Sequence, residues 1–90
     1  MDLAQLEISA YREKWPVKLV TARYADGRPA LILVDMRTGE PQWKISVNMP
    51  EIDLADGEYI IKTWSENEPV IDQVMGTGLF VDTGRRVTCG

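Results

Sequence analysis

Histidine is absent from the 90-residue sequence, and cysteine occurs once, at Cys89. Without imidazole, a single chain builds no His-ligated zinc site, no Ser-His-Asp triad and no imidazole acid–base pair. One thiol excludes a Cys-rich metal site, and with no His to activate it the usual nucleophilic-thiol arrangement is missing too. Cys89 reads as a strand residue near the chain end, and the lack of an internal disulfide fits a reducing, cytoplasmic compartment. No apolar run approaches the ~20 residues a spanning helix needs. Asp2 stands where a signal peptide carries Lys or Arg. Any catalysis would fall to carboxylates, Lys or Tyr. These absences favour a non-enzymatic protein with no cofactor and no metal.

Basic residues are scarce where acidic ones are dense. Residues 51–72 hold seven acidic side chains, Glu51, Asp53, Asp56, Glu58, Glu66, Glu68 and Asp72, against Lys62 alone, while the whole chain carries a net charge of −4. The rest of the chain is close to neutral. This stretch is the one feature that resembles a surface made for a purpose. Carboxylates spaced like phosphates could occupy the basic nucleic-acid groove of another protein, with electrostatic steering of the encounter. The plainer reading is a solvated face that keeps a small domain soluble. Asp53, Asp56 and Glu58 also invite a calcium reading, but the ligand spacing of an EF-hand is absent. Direct nucleic-acid binding is disfavoured, because Trp15, Trp43, Trp64 and the tyrosines have no basic stripe beside them. Trp43 and a second Trp are expected in or near the core.

A chain of this length forms one domain and buries roughly two-thirds of its unfolded surface. Asp2 and Gln5 resemble an N-cap with its reciprocal partner. Leu3, Leu6 and Ala10 recur at helical spacing, so an N-terminal helix ending before Pro16 is expected, although Leu6, Ile8 and Ala10 also alternate as a strand would. From Pro16 the period is two. Val20, Ala22 and Tyr24 lead to the turn Asp26-Gly27-Arg28-Pro29. Ala30–Met36 is a second strand, Thr38-Gly39-Glu40-Pro41 a second turn. Trp43, Ile45, Val47 and Met49 then share one face of a third strand, predicting Ile45 or Val47 buried and Lys44 exposed.

An acidic loop over 51–57 leads to a fourth strand, Glu58–Trp64. Asn67 is placed to cap a short helix near 68–76, with Glu68 and Pro69 in its first turn. Leu79–Thr83 and Arg86–Cys89 read as a closing hairpin. The expected fold is α+β: an antiparallel sheet of about five to six strands with an N-terminal helix and the short later one. The chain stops on a strand, so its end is either tied into the sheet or continued in a longer natural chain.

Val81-Asp82-Thr83-Gly84 matches the catalytic tripeptide of retroviral-type aspartic proteases, which act through paired carboxylates. The context opposes it, since that fold places much of its sheet after the tripeptide. The alternative is a turn in which Asp82 and Thr83 make local hydrogen bonds and Gly84 takes positive φ. Gly76-Thr77-Gly78 follows a helix, whereas phosphate loops precede one.

The run from Trp64 to Gly90 resembles a family of small proteins of unknown function encoded by bacteria, prophages and plasmids. The likeness lies in Asn67-Glu68-Pro69, the helix after it, and Thr83-Gly84-Arg85 before a strand. Gly39-Glu40-Pro41 and Val47-Asn48-Met49-Pro50 extend it to about half of the chain. In that family a further strand follows the position of Gly90. The family supplies no catalytic residue to carry over. Its context implies a phage or mobile-element protein of the anti-CRISPR or antirestriction inhibitor type. The expected partner is then a protein with a basic nucleic-acid-binding surface, met by the seven carboxylates. The rival expectation is an accessory interaction domain, homodimeric through a free sheet edge.

Overall fold

The computed structural model describes residues 2–86, and its first element, β1 (Asp2–Ala10), is a strand where the sequence predicts a helix. The alternation of Leu6, Ile8 and Ala10 prevails over the helical spacing because it meets a partner. β2 (Glu13–Arg23) pairs with β1 antiparallel, Ile8 opposite Trp15 and Leu6 opposite Val17. The link is a two-residue turn, Tyr11-Arg12, with φ of 53° and 60°. Such a turn matches the twist of the strands it joins but normally uses Asn or Gly. Left-handed backbone costs a side-chain-bearing residue about 1–2 kcal/mol. The tertiary structure offsets this: Tyr11 Oη donates to the Glu66 carbonyl at 3.2 Å, and Trp15 Nε1 donates to the Ala10 carbonyl at 3.1 Å.

The sheet continues as a meander through β3 (Pro29–Asp35) and β4 (Pro41–Lys44), in the order β1-β2-β3-β4, all neighbours antiparallel. Its turns fall at Asp26-Gly27 and Thr38-Gly39, where Gly27 and Gly39 supply positive φ. A helix follows, α1 (Glu68–Met75), entered through a 3-10 turn at Ser65–Asn67. Among the described residues the class is α+β with four strands rather than five or six, and β1 stands where the N-terminal helix is expected.

Side chains at alternate positions, Ile8, Val17, Leu19, Leu31, Leu33, Trp43 and Ile45, form the inner face and pack with Val70 and Val74 of α1. Ile45 is fully buried and Lys44 exposed, as the two-residue period predicts. Trp15 meets the buried Trp43 edge-on at 5.3 Å between ring centroids. Arg37 lies over Trp15 at 5.1 Å and pairs with the buried Asp35 at 3.2 Å, lowering that carboxyl's pKa. Trp64 is the most exposed of the three tryptophans, at 40%.

The third predicted strand is cut short by its own serine. The Leu31 carbonyl accepts from both Ile45 N (2.9 Å) and Ser46 N (3.4 Å), while Leu31 N donates to the Ser46 side chain (2.9 Å). A hydroxyl thus replaces the carbonyl that the ladder would have supplied. Beyond it the chain leaves β3 and meets residues 60–62. Val47 N donates to the Ile60 carbonyl and Lys62 N to the Ile45 carbonyl. The predicted fourth strand is reduced to this one bridge, Ser46 opposite Ile61.

Asn67 precedes α1 but does not cap it with its side chain. It is wholly buried, and its Nδ2 donates to the Lys44 and Lys62 carbonyls at 2.8 and 3.0 Å. The amide ties the helix start to both segments at the place where the ladder breaks. The predicted closing hairpin shows no strand over 79–86, and the rest of its second half after Arg86, with Cys89, lies outside the described residues.

Candidate functional site

Arg28 holds the base of the acidic loop. From the β2–β3 turn its guanidinium donates to Asn48 Oδ1 (3.0 Å) and to the carbonyls of Met49 (3.1 Å) and Ile52 (2.7 Å). Asn48 Nδ2 in turn donates to Asp26 Oδ2 at 2.9 Å. That bond, with the Arg28 backbone N–H, holds the Asp26 carboxyl below its ordinary pKa. Loops that must keep a shape need their carbonyls satisfied, and Arg28 does this from a distant part of the sequence. Nothing local to residues 48–53 announces it.

The far end of the loop is closed by Arg85. Its Nη1 donates to the Asp53 carbonyl at 2.9 Å and to Glu58 Oε1 at 3.0 Å. Glu58 also accepts from Ala55 N at 3.3 Å, and its side chain is only 18% exposed. Of the candidate residues, Glu58 is therefore engaged within the molecule. So is Glu66: Lys62 Nζ lies 2.6 Å from its carboxylate and lowers its pKa to about 2.

The other candidates differ. Glu51, Asp53 and Asp56 are exposed on the loop, and Glu68 and Asp72 are exposed one turn apart on α1. Among the described residues none of these five carboxylates has an ion-pair partner. The seven thus separate into a loop group, a helix group and two internally paired members. No three of them converge on a position for a metal ion among the described residues.

Between loop and helix lies an apolar groove of about 500 Å³. Ile52, Leu54 and Tyr59 line it from the loop side, Met75 from the helix, and Leu79 and Phe80 from the segment that follows. Tyr59 and Phe80 meet edge-on at 6.1 Å. Arg85 and Glu58 also border the groove, so their ion pair joins the loop to the 79–86 segment there. The sequence shows the acidic residues but not the groove, because its walls come from segments that only the fold brings together.

Asp82 also lines the groove. It accepts from Gly84 N at 2.8 Å and pairs with Arg86 at 2.9 Å, while Thr83 Oγ1 accepts from Arg85 N at 3.2 Å and Gly84 has φ of 82°. These are the contacts of a local turn. Both of the carboxylate's interactions lower its pKa, the Arg86 hydrogen bond most.

No protein family, curated protein or solved structure matches this chain, so its function is read from its own geometry. No helix among the described residues is long and apolar enough to cross a membrane.

Proposed function

We propose that this is a non-enzymatic binding protein whose acidic loop docks on a basic surface of another protein, the kind of surface that a nucleic-acid-handling protein presents. In this reading Glu51, Asp53 and Asp56 pair with Lys or Arg of the partner. Glu68 and Asp72 extend the field along α1. The groove beside the loop accepts an apolar side chain of the partner, since charge steers the encounter and buried apolar surface holds the complex. Inhibition of a host nucleoprotein machine is the biological form this activity takes if the chain belongs to a mobile element.

One observation carries the reading. The loop carboxylates stand exposed, with no ion-pair partner among the described residues, on a loop that Arg28 and Arg85 hold through the Met49, Ile52 and Asp53 carbonyls and that Arg85 also ties at its far end through the Glu58 carboxylate. A loop already ordered loses less entropy on binding. Glu58 and Glu66 support the loop and the entry to α1 rather than face the partner.

The test begins with a partner captured from a host lysate and identified by mass spectrometry. Its association rate is then measured against added salt for the wild type and for the triple variant Glu51→Lys, Asp53→Lys, Asp56→Lys. The wild type should associate faster, and its rate should fall more steeply with salt, because exposed charges are screened over roughly 8 Å at physiological ionic strength. Equal rates and equal salt slopes would reduce the acidic loop to a solvated face.

A further inference from the structure

Among the described residues, the outer edge of β1 is open over a short, well-bounded stretch. Ala10 and Glu13 flank the two-residue turn and exchange backbone hydrogen bonds, so Ile8 and Leu6 also face β2, while Ser9, Glu7 and Gln5 face away. Two contacts establish this phase. The Ser9 N–H and carbonyl are both taken by Gln73, at 2.8 and 2.9 Å, on the side away from β2. Pro16, opposite Glu7, gives its carbonyl to Met36 N on the β3 side. Toward the N-terminus the register shifts between Asp2 and Ala4, which interrupts the edge at Leu3. Between the shift and the Gln73 contact, the N–H and carbonyl groups of Gln5 and Glu7 point outward with no partner among the described residues.

We infer that this stretch pairs antiparallel with the same stretch of a second copy, the two-fold axis passing at Leu6. In that register Gln5 faces Glu7 of the second copy and Glu7 faces its Gln5. Every outward N–H then meets a carbonyl, and the two sheets become one. A slide toward Ser9 meets groups that Gln73 already occupies, and a slide toward Leu3 meets the irregular backbone.

The side chains agree with the register. Leu6 is half-buried at the rim of the inner face. Its counterpart would cover it, because directly opposed residues place their Cβ atoms about 4.5–5.5 Å apart. On the outer face Gln5 lies beside Lys18 of its own chain. Glu7 therefore comes to two strand spacings, about 10 Å, from Lys18 of the second copy, within reach of two long side chains of opposite charge. Two acidic residues are not brought face to face. The surface is self-complementary, as a two-fold interface must be. It does not involve the acidic loop, so it stands or falls apart from the function proposed above.

The test is the mass of the full chain by sedimentation velocity from micromolar to millimolar concentration. The wild type should pass from monomer to dimer. Glu7→Pro removes an outward N–H, a substitution that edge strands accept, together with the exposed carboxylate that lies 3.9 Å from Lys14. It should weaken dimerisation at least about tenfold, since two symmetry-related donors are lost, with the circular dichroism spectrum unchanged.

A second measurement does not depend on that variant folding. In a Cys89→Ser background, Leu6→Cys should form a disulfide-linked dimer in oxidised glutathione, because residues on the axis lie about 4.5 Å apart between Cα atoms. Ala4→Cys, which would face Ile8, should not. A wild type that stays monomeric throughout, a dimer that survives Glu7→Pro, or equal cross-linking by the two cysteine variants would overturn the inference.

Discussion

Gln73 grips Ser9 with both ends of its side-chain amide: Oε1 accepts from Ser9 N at 2.8 Å, and Nε2 donates to the Ser9 carbonyl at 2.9 Å. A helix residue thereby makes the two bonds that a neighbouring strand residue would make. The same Nε2 also donates to the Pro69 carbonyl one turn earlier in α1. The contact sets the height of the helix along β1 and protects one end of an exposed sheet edge, where unpaired backbone invites association.

Gln73→Leu keeps the bulk of the side chain and removes both bonds to Ser9 as well as the one to the Pro69 carbonyl. It should destabilise the fold by about 1–2 kcal/mol, since Ser9 is exposed and water replaces part of the loss. Urea unfolding monitored by tryptophan fluorescence measures this. Gln73→Glu keeps the acceptor for Ser9 N but sets a carboxylate oxygen against the Ser9 and Pro69 carbonyls, so it should be no more stable than the leucine variant.

Asn67 is the more sensitive amide because it is wholly buried. Asn67→Ala leaves the Lys44 and Lys62 carbonyls without their donor, and each buried unsatisfied group costs about 1–3 kcal/mol. Asn67→Asp should be worse, because it sets a carboxylate against two carbonyl oxygens. The midpoint of thermal unfolding should therefore fall in the order wild type, alanine, aspartate. The opposite order for the two variants would show that the amide does not face these carbonyls.

Arg28→Met should loosen the acidic loop without unfolding the domain. Its guanidinium binds the Met49 and Ile52 carbonyls and Asn48 across the surface, while its neighbour Ala30 begins the buried part of β3. Amide hydrogen exchange should quicken over residues 48–56 and change little in β2 and β3. If the loop is the binding surface, the association rate falls in this variant although every loop carboxylate remains.

Acid should weaken the fold in a defined window. Glu66 is held ionised by Lys62, its pKa lowered from an ordinary 4.5 to about 2. Asp35 beside Arg37, Asp82 beside Arg86 and Asp26 beside Asn48 shift in the same direction. A carboxyl with a depressed folded-state pKa contributes stability that is fully present above its unfolded pKa and lost as pH falls through the folded one. The melting temperature should therefore hold above about pH 5, then decline as the medium is acidified from pH 4.5 toward 2, the range in which the unfolded chain protonates Glu66 while the folded protein still holds it ionised. Glu66→Gln should show a shallower decline over that range, having no carboxyl there to protonate.

Much of this molecule was determined by the sequence alone. The strict alternation around Trp43 and Ile45, the turns at Asp26-Gly27 and Thr38-Gly39, and the helix after Asn67 each follow from local chemistry and appear where the pattern places them. The acidic excess of residues 51–72 is equally plain in the sequence. Tertiary structure decided the rest. Tyr11-Arg12 carries no turn residue, so β1 becomes a strand only because β2 offers it a ladder and Glu66 receives the Tyr11 hydroxyl. Ser46 ends β4 by substituting for a strand partner of Leu31. Arg85 and Lys62 claim Glu58 and Glu66, leaving the loop and helix carboxylates to face outward. The physical reason is the same in each case. Local pattern records which conformations and charges are cheap for a segment, but the partner for a hydrogen bond or an ion arrives from elsewhere in the chain, and its arrival settles which of them is adopted.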